Sequence, residues 1–183
     1  MLVADAQRQM RQVYRGGLHG QLVSGALWLL AAAAGTWRTH NLAVLVLVLG
    51  GCFIFPLTML ALRLSGRPAT APKSNPLNAL AMQVAFTVPL VLPVVLALTR
   101  RSPDWFFPAT MIVVGAHYLP FIFLYGMWQW AVLAAVFLFG GLALGAYVPL
   151  GFAAGGWIGG AALVVFAFAG WRVVVAEEKR AAA

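Results

Sequence analysis

The chain has 183 residues, 63% of them hydrophobic and 9% charged, with a mean hydropathy of +0.91. Soluble domains carry roughly 25% charged residues, so a soluble monomer is excluded. Crossings of about 20 residues each would use nearly the whole length, which leaves no room for a separate soluble catalytic or ligand-binding domain.

Apolar runs long enough to span a bilayer fall, in chain order, at Gly17 to Thr36, Leu42 to Leu62, Pro76 to Thr99, Trp105 to Tyr125, Trp128 to Tyr147 and Gly151 to Val174. The segment Leu22 to Gly35, which follows Arg8, Arg11 and Arg15, also has the look of a signal peptide. It is expected to be an uncleaved first span. Arg63 to Asn75 is the one long connection, with Gly, Pro and Ser punctuation. Gly126-Met127 and Val148 to Leu150 are expected to be tight turns, so spans four to six should run as antiparallel hairpins. The fold class is all-α: a polytopic bundle of six transmembrane helices forming a single domain over 1–183.

Net charge is +8, from 12 Lys and Arg against 4 Asp and Glu. With no basic run longer than Arg100-Arg101, the excess reads as a topology signal and no nucleic-acid partner is expected. Six spans put both termini on one side, with Arg8, Arg11, Arg15, Arg63, Arg67, Lys73, Arg172, Lys179 and Arg180. Arg38, Arg100 and Arg101 fall on the other. Nine against three predicts cytoplasmic termini by the positive-inside rule. Trp37, Trp105, Trp128, Trp130 and Trp171 fall at span ends, where amphipathic rings favour the interface.

All four acids, Asp5, Asp104, Glu177 and Glu178, lie outside the spans. A carboxylate proton relay or a carboxylate metal site within the bilayer therefore has no material. The lone Cys52 allows no intramolecular disulfide and reads as a small packing residue. No cofactor is implied. The remaining polar groups gather, by helical rise, in the cytoplasmic half. His19, Gln21 and Ser24 head span one, Asn78 and Gln83 head span three, and His117, Tyr118 and Tyr125 sit in the inner half of span four. Polar groups in hydrocarbon turn toward other helices or water, so there are two readings: hydrogen bonds that fix the bundle, or a pocket. The candidate pocket comprises His19, Asn78, Gln83, His117, Tyr118 and Tyr125, with a small polar solute as its ligand. Pro56, Pro89, Pro93, Pro108 and Pro120 interrupt spans two to four and can free carbonyls for such a pocket. In it His117 is expected to be neutral at pH 7.

Spans five and six are glycine-rich. Gly141 and Gly145, then Gly151, Gly155 and Gly159, then Gly156 and Gly160, have the spacing that lets helix backbones approach. These spans are expected to pack on each other more closely than any other neighbours, or to offer a homodimer face. His19 and His117 differ in depth by roughly 9 Å, which disfavours haem ligation. Ser24 with His117 departs from the serine–histidine dyad of rhomboid proteases, because Leu22 stands where that motif has glycine. No enzymatic motif remains.

The stretch Gly115-Ala116-His117-Tyr118-Leu119-Pro120 with Tyr125, together with Asn75-Pro76-Leu77, resembles a family of uncharacterised bacterial multi-spanning membrane proteins over residues 15–130. The resemblance implies a bacterial inner-membrane protein and draws attention to Asn75, Asn78, His117 and Tyr125. Three function classes follow. A small transporter- or channel-like protein is preferred, with a non-catalytic sensor or assembly subunit next. An intramembrane lipid-modifying enzyme comes last.

Overall fold

The computed structural model describes residues 1–68, 70–148 and 150–182. Ala69 and Pro149, within the two predicted connections, lie outside them. The described residues form helices and contain no strand. Five helical stretches are long and apolar enough to cross a membrane, and a sixth crossing is made if one bent pair counts as a span.

The chain opens with a helix the apolar runs did not announce. α1 (Val3–Tyr14) is amphipathic, with Ala6 and Met10 buried four residues apart on one face. It stops because Arg15, Gly16 and Gly17 all take positive φ, at 50°, 63° and 94°. Glycine adopts that conformation without a Cβ penalty. A Cβ on Gly17 would also lie 2.6 Å from the Trp130 ring, so position 17 requires glycine twice over. α2 (Leu18–Trp37) follows as the first span.

The second span is broken. α3 (His40–Gly51) begins under a Thr39 side-chain cap on the Leu42 amide and is bent by 58° from α4 (Ile54–Leu64). The third is α5 (Leu77–Ala85) and α6 (Thr87–Arg101), interrupted at Phe86. Pro56, Pro89 and Pro108 each stand third in a helix, in α4, α6 and α7 (Phe106–Tyr125) respectively. In a first turn the missing N–H has no intrahelical acceptor to lose. These prolines therefore begin helices, and the breaks lie about one turn upstream of them. Only Pro93 and Pro120 sit in helix interiors. α8 (Gln129–Ala146) and α9 (Ala154–Ala182) complete the chain.

Four helices form the core. α7 packs along α8 and α2 along α9, and these two pairings are the most extensive in the molecule. The predicted close pairing of spans five and six is therefore corrected: α8 and α9 touch, but their glycines serve other neighbours. A Cβ on Gly141 would meet the Pro108 carbonyl oxygen at 2.6 Å, and one on Gly145 the Trp105 ring at 2.7 Å, both beside α7. On α9, Gly159 lies under Trp28 and Gly160 under Leu29 of α2. The reason is size complementarity, since the bulky partners these glycines need are on α2 and α7. Gly141, Gly145, Gly155, Gly156, Gly159 and Gly160 thus each meet residues of the same chain, whereas Gly151 meets nothing within 4 Å. The broken spans flank this core, α3 and α4 resting on α2, and α5 and α6 on α7. Cys52, expected to pack, is exposed at the bend between α3 and α4.

Candidate functional site

An unbroken series of aromatic rings fills the core. It starts beside the α8–α9 connection, where Phe152 stacks on His40 at 3.9 Å between centroids and meets Phe107 at 5.3 Å. It continues through Trp28 (6.0 Å from Phe107) and Phe137 (5.4 Å from Trp28) to Tyr118 at a further 5.9 Å. Trp130 follows at 5.3 Å and Tyr125 at 5.4 Å. Phe107 and Phe137 are fully buried, and Trp28, Trp130, Tyr118 and Tyr125 nearly so. Edge-on and tilted contacts at these spacings suit the quadrupoles of the rings. Tyr118 and Tyr125, predicted as pocket residues, are members of this packed series.

The other predicted residues are placed separately. His117 sits where α7 crosses the third span, with Nδ1 2.8 Å from Thr87 Oγ1. The Thr87 hydroxyl donates to the Val84 carbonyl, also at 2.8 Å, and it has a single proton. Both contacts are satisfied together when His117 Nδ1 carries a hydrogen and donates to Thr87 Oγ1. His117 is thereby tied to the Val84–Thr87 break in the third span. Asn78 donates to the Pro72 carbonyl at 2.8 Å and shapes the connection before α5, and Gln83 is exposed. His19 lies on α2, with Nδ1 buried and without a partner among the described residues.

Sequence reading missed two groupings at the end of the molecule where the termini meet. One is a latch centred on Arg11. Its guanidinium donates through Nε and Nη2 to both Glu177 carboxylate oxygens, at 2.8 and 2.6 Å, and through Nη1 to the Tyr125 carbonyl at 2.6 Å. Gln7 donates to the Phe123 carbonyl. The Phe123 and Tyr125 carbonyls, at the negative end of the α7 dipole, are thus capped by α1, the former sharing its oxygen with the Gly126 amide at 3.3 Å. Gly126 makes room for this, since a Cβ there would lie 2.6 Å from Gln7 Oε1. The Arg11 hydrogen bonds hold the Glu177 carboxyl below its ordinary pKa against the opposing effect of partial burial, and the Arg11 and Arg8 charges add to the depression. Asn75 joins the same end by donating to the Ala6 carbonyl and to Gln9 Oε1, both at 3.0 Å. Its own Oδ1 accepts from the Leu77 amide at 2.9 Å and so starts α5.

The other grouping is a set of unpartnered polar atoms. His19 Nδ1, Gln21 Oε1, Gln129 Oε1 and Trp171 Nε1 are buried without hydrogen bonds among the described residues. They come from the first turns of α2 and α8 and from α9, the three helices that meet at the α1 hinge. Gln129 and Trp171 carried no site signal in sequence, because each reads as an ordinary interfacial residue. At the opposite end a cavity of about 360 Å³ is lined by Asp104, Trp105, Pro108, Gly145, Leu150 and Gly155, among others. None of the predicted pocket residues reaches it.

No curated protein and no solved structure matches the chain. One family model does, described as a family of unknown function, DUF7010, and its match covers residues 3–173. That range takes in α1, the flanking spans, the aromatic core and most of α9. The chain belongs to this family.

Proposed function

We propose that the protein is a non-catalytic integral membrane module, a sensor or assembly subunit, in which a four-helix core serves as a rigid frame for two looser flanking spans. The aromatic series through α2, α7 and α8 carries this reading, because close-packed rings occupy the path a solute would take through the core. Nine basic residues against three support an orientation with both termini in the cytoplasm. The resemblance read in the sequence supports placement in a bacterial inner membrane. In this reading His117 and Asn75 serve architecture: His117 ties α7 to the third span, and Asn75 ties the 65–76 connection to α1.

A second reading, a small transporter- or channel-like protein taking a small polar solute, draws on the unpartnered polar atoms near His19. Cysteine accessibility separates the two. In a Cys52→Ala background, single cysteines replace Ala31, Ala134 or Ala167, all fully buried in the core. A membrane-impermeant maleimide applied to either side of membrane vesicles should leave them unmodified while labelling a cysteine at exposed Arg101. Labelling at Ala134 or Ala31 would reveal a water-filled path and replace the module by the transporter.

A further inference from the structure

Beneath the hinge between α1 and α2 lies a void of about 10 Å³, lined by Gly16, Gln21, Met127, Gln129, Trp130 and Gly170, among others. That volume is about one water-sized sphere, the least a buried water needs. Gln21 is 5% exposed, and its Oε1 has no partner among the described residues; neither does Oε1 of Gln129. An unpaired amide in a low-dielectric interior is costly. Here the buried Gln21 of α2 and the half-buried Gln129 of α8, each with a buried Oε1, line one water-sized space.

We propose that this space is a binding site for a single water molecule, which donates one hydrogen to the Gln21 carbonyl oxygen and the other to that of Gln129. The stoichiometry of donors selects water: both glutamines line the space, Oε1 of each is buried without a partner among the described residues, and water carries two donors on one small atom. Its oxygen remains free to accept. A bare monovalent cation would also suit two carbonyls, but no carboxylate lines the void to balance its charge. The water joins α2 to α8 where the chain turns at Gly16, whose backbone in turn touches Gly170 of α9. Three core helices and the hinge are thereby fastened at one point. The assignment holds whether the protein is a module or a transporter.

The test combines a mutant cycle with a direct probe. Gln21→Leu and Gln129→Leu should each lower the melting temperature by roughly 3 °C, the scale of one stranded buried amide in a chain of this size. The double variant should recover most of that loss, since no amide is then left unpaired. A dry site predicts the reverse, with each single change raising the melting temperature and the two gains adding. Water-edited solid-state NMR of side-chain ¹⁵N-glutamine protein in liposomes reads the wild type directly. The Gln21 signal should receive magnetisation from a bound water and lose it in Gln129→Leu; a wild-type signal that receives none overturns the proposal. Melting is also compared in sodium, potassium and N-methylglucamine chloride at equal ionic strength. A rise with one metal cation that vanishes in Gln21→Leu would make the ligand a cation and overturn water.

Discussion

The core and the flanking spans are both apolar but pack in opposite ways. In α2, α7, α8 and α9, glycines face rings so closely that several positions have no space for a Cβ. In α3 to α6, large apolar residues point outward: Leu90 is 75% exposed, Val94 68% and Phe55 61%. Lipid is as good a solvent for leucine as another helix is, so apolarity alone does not hold membrane helices together. Close packing does, and here it comes from small residues set against aromatic ones. Where that pairing is lacking, the helices break and lie at the edge of the bundle.

The sharpest way to break this contrast is to fill a core contact. A Cβ on Gly156 would lie 2.6 Å from Phe107 and 2.8 Å from Ala32, so Gly156→Leu should destabilise the protein by about 3 kcal/mol. The expected sign is loss of monodisperse protein in detergent. Leu90→Ala on α6 should change stability by less than about 0.5 kcal/mol. Equal effects at the two sites would mean that α6 is covered as tightly as the core.

A middle-sized effect is expected where α1 straps the two regions together. Arg11 holds the core at Tyr125 and Glu177, while Ala6 holds the 65–76 connection through Asn75. Glu177→Gln should cost about 1 kcal/mol, a charged hydrogen bond discounted for a side chain that is 35% exposed. The carboxyl's pKa is depressed in the folded state, so its contribution is complete above the unfolded carboxylate value. It falls away as pH drops through the folded value. Wild type should therefore lose melting temperature on acidification below the usual carboxylate range more steeply than Glu177→Gln. At neutral pH, tryptic cleavage at Arg15, which reports release of α1, should be faster in Glu177→Gln than in wild type. Parallel pH profiles would show that the latch is not a stabilising link.

The smallest effect tests the bend itself. A Cβ on Gly51 would meet nothing within 4 Å, and its φ is not positive. Gly51→Ala should stabilise the fold by about 0.5 kcal/mol by restricting the unfolded chain. Destabilisation would show that the α3–α4 bend is as narrowly specified as the core, which would erase the contrast.

The long apolar helices were legible in sequence because an apolar run of bilayer length is a one-dimensional signal. Pro56 and Pro89 marked two of the breaks, although they head helices instead of kinking them. For the candidate site the sequence offers position along a helix and nothing more. His117, Asn78 and Gln83 were placed by rise along a helix, but the rotation that decides their neighbours is not encoded by rise, and the three face different surroundings. Gln21 was noticed as polar, yet its counterpart Gln129 looked like a span-end residue. α1 was too short to stand out: Ala6 and Met10 give its face, and the stabilising partners of Arg11 lie far along the chain.

That distance bears on how the protein is made. Arg11 pairs with a residue 166 positions later and with a carbonyl 114 positions later. At cellular synthesis rates, α1 waits on the order of ten to thirty seconds between leaving the ribosome and finding Glu177. During that interval Ala6 gains its partner Asn75 after 69 positions, and Arg11 gains the Tyr125 carbonyl after 114. The Arg11–Glu177 pair is thus the last of the α1 contacts to form, and it can close only after residue 177 has been made.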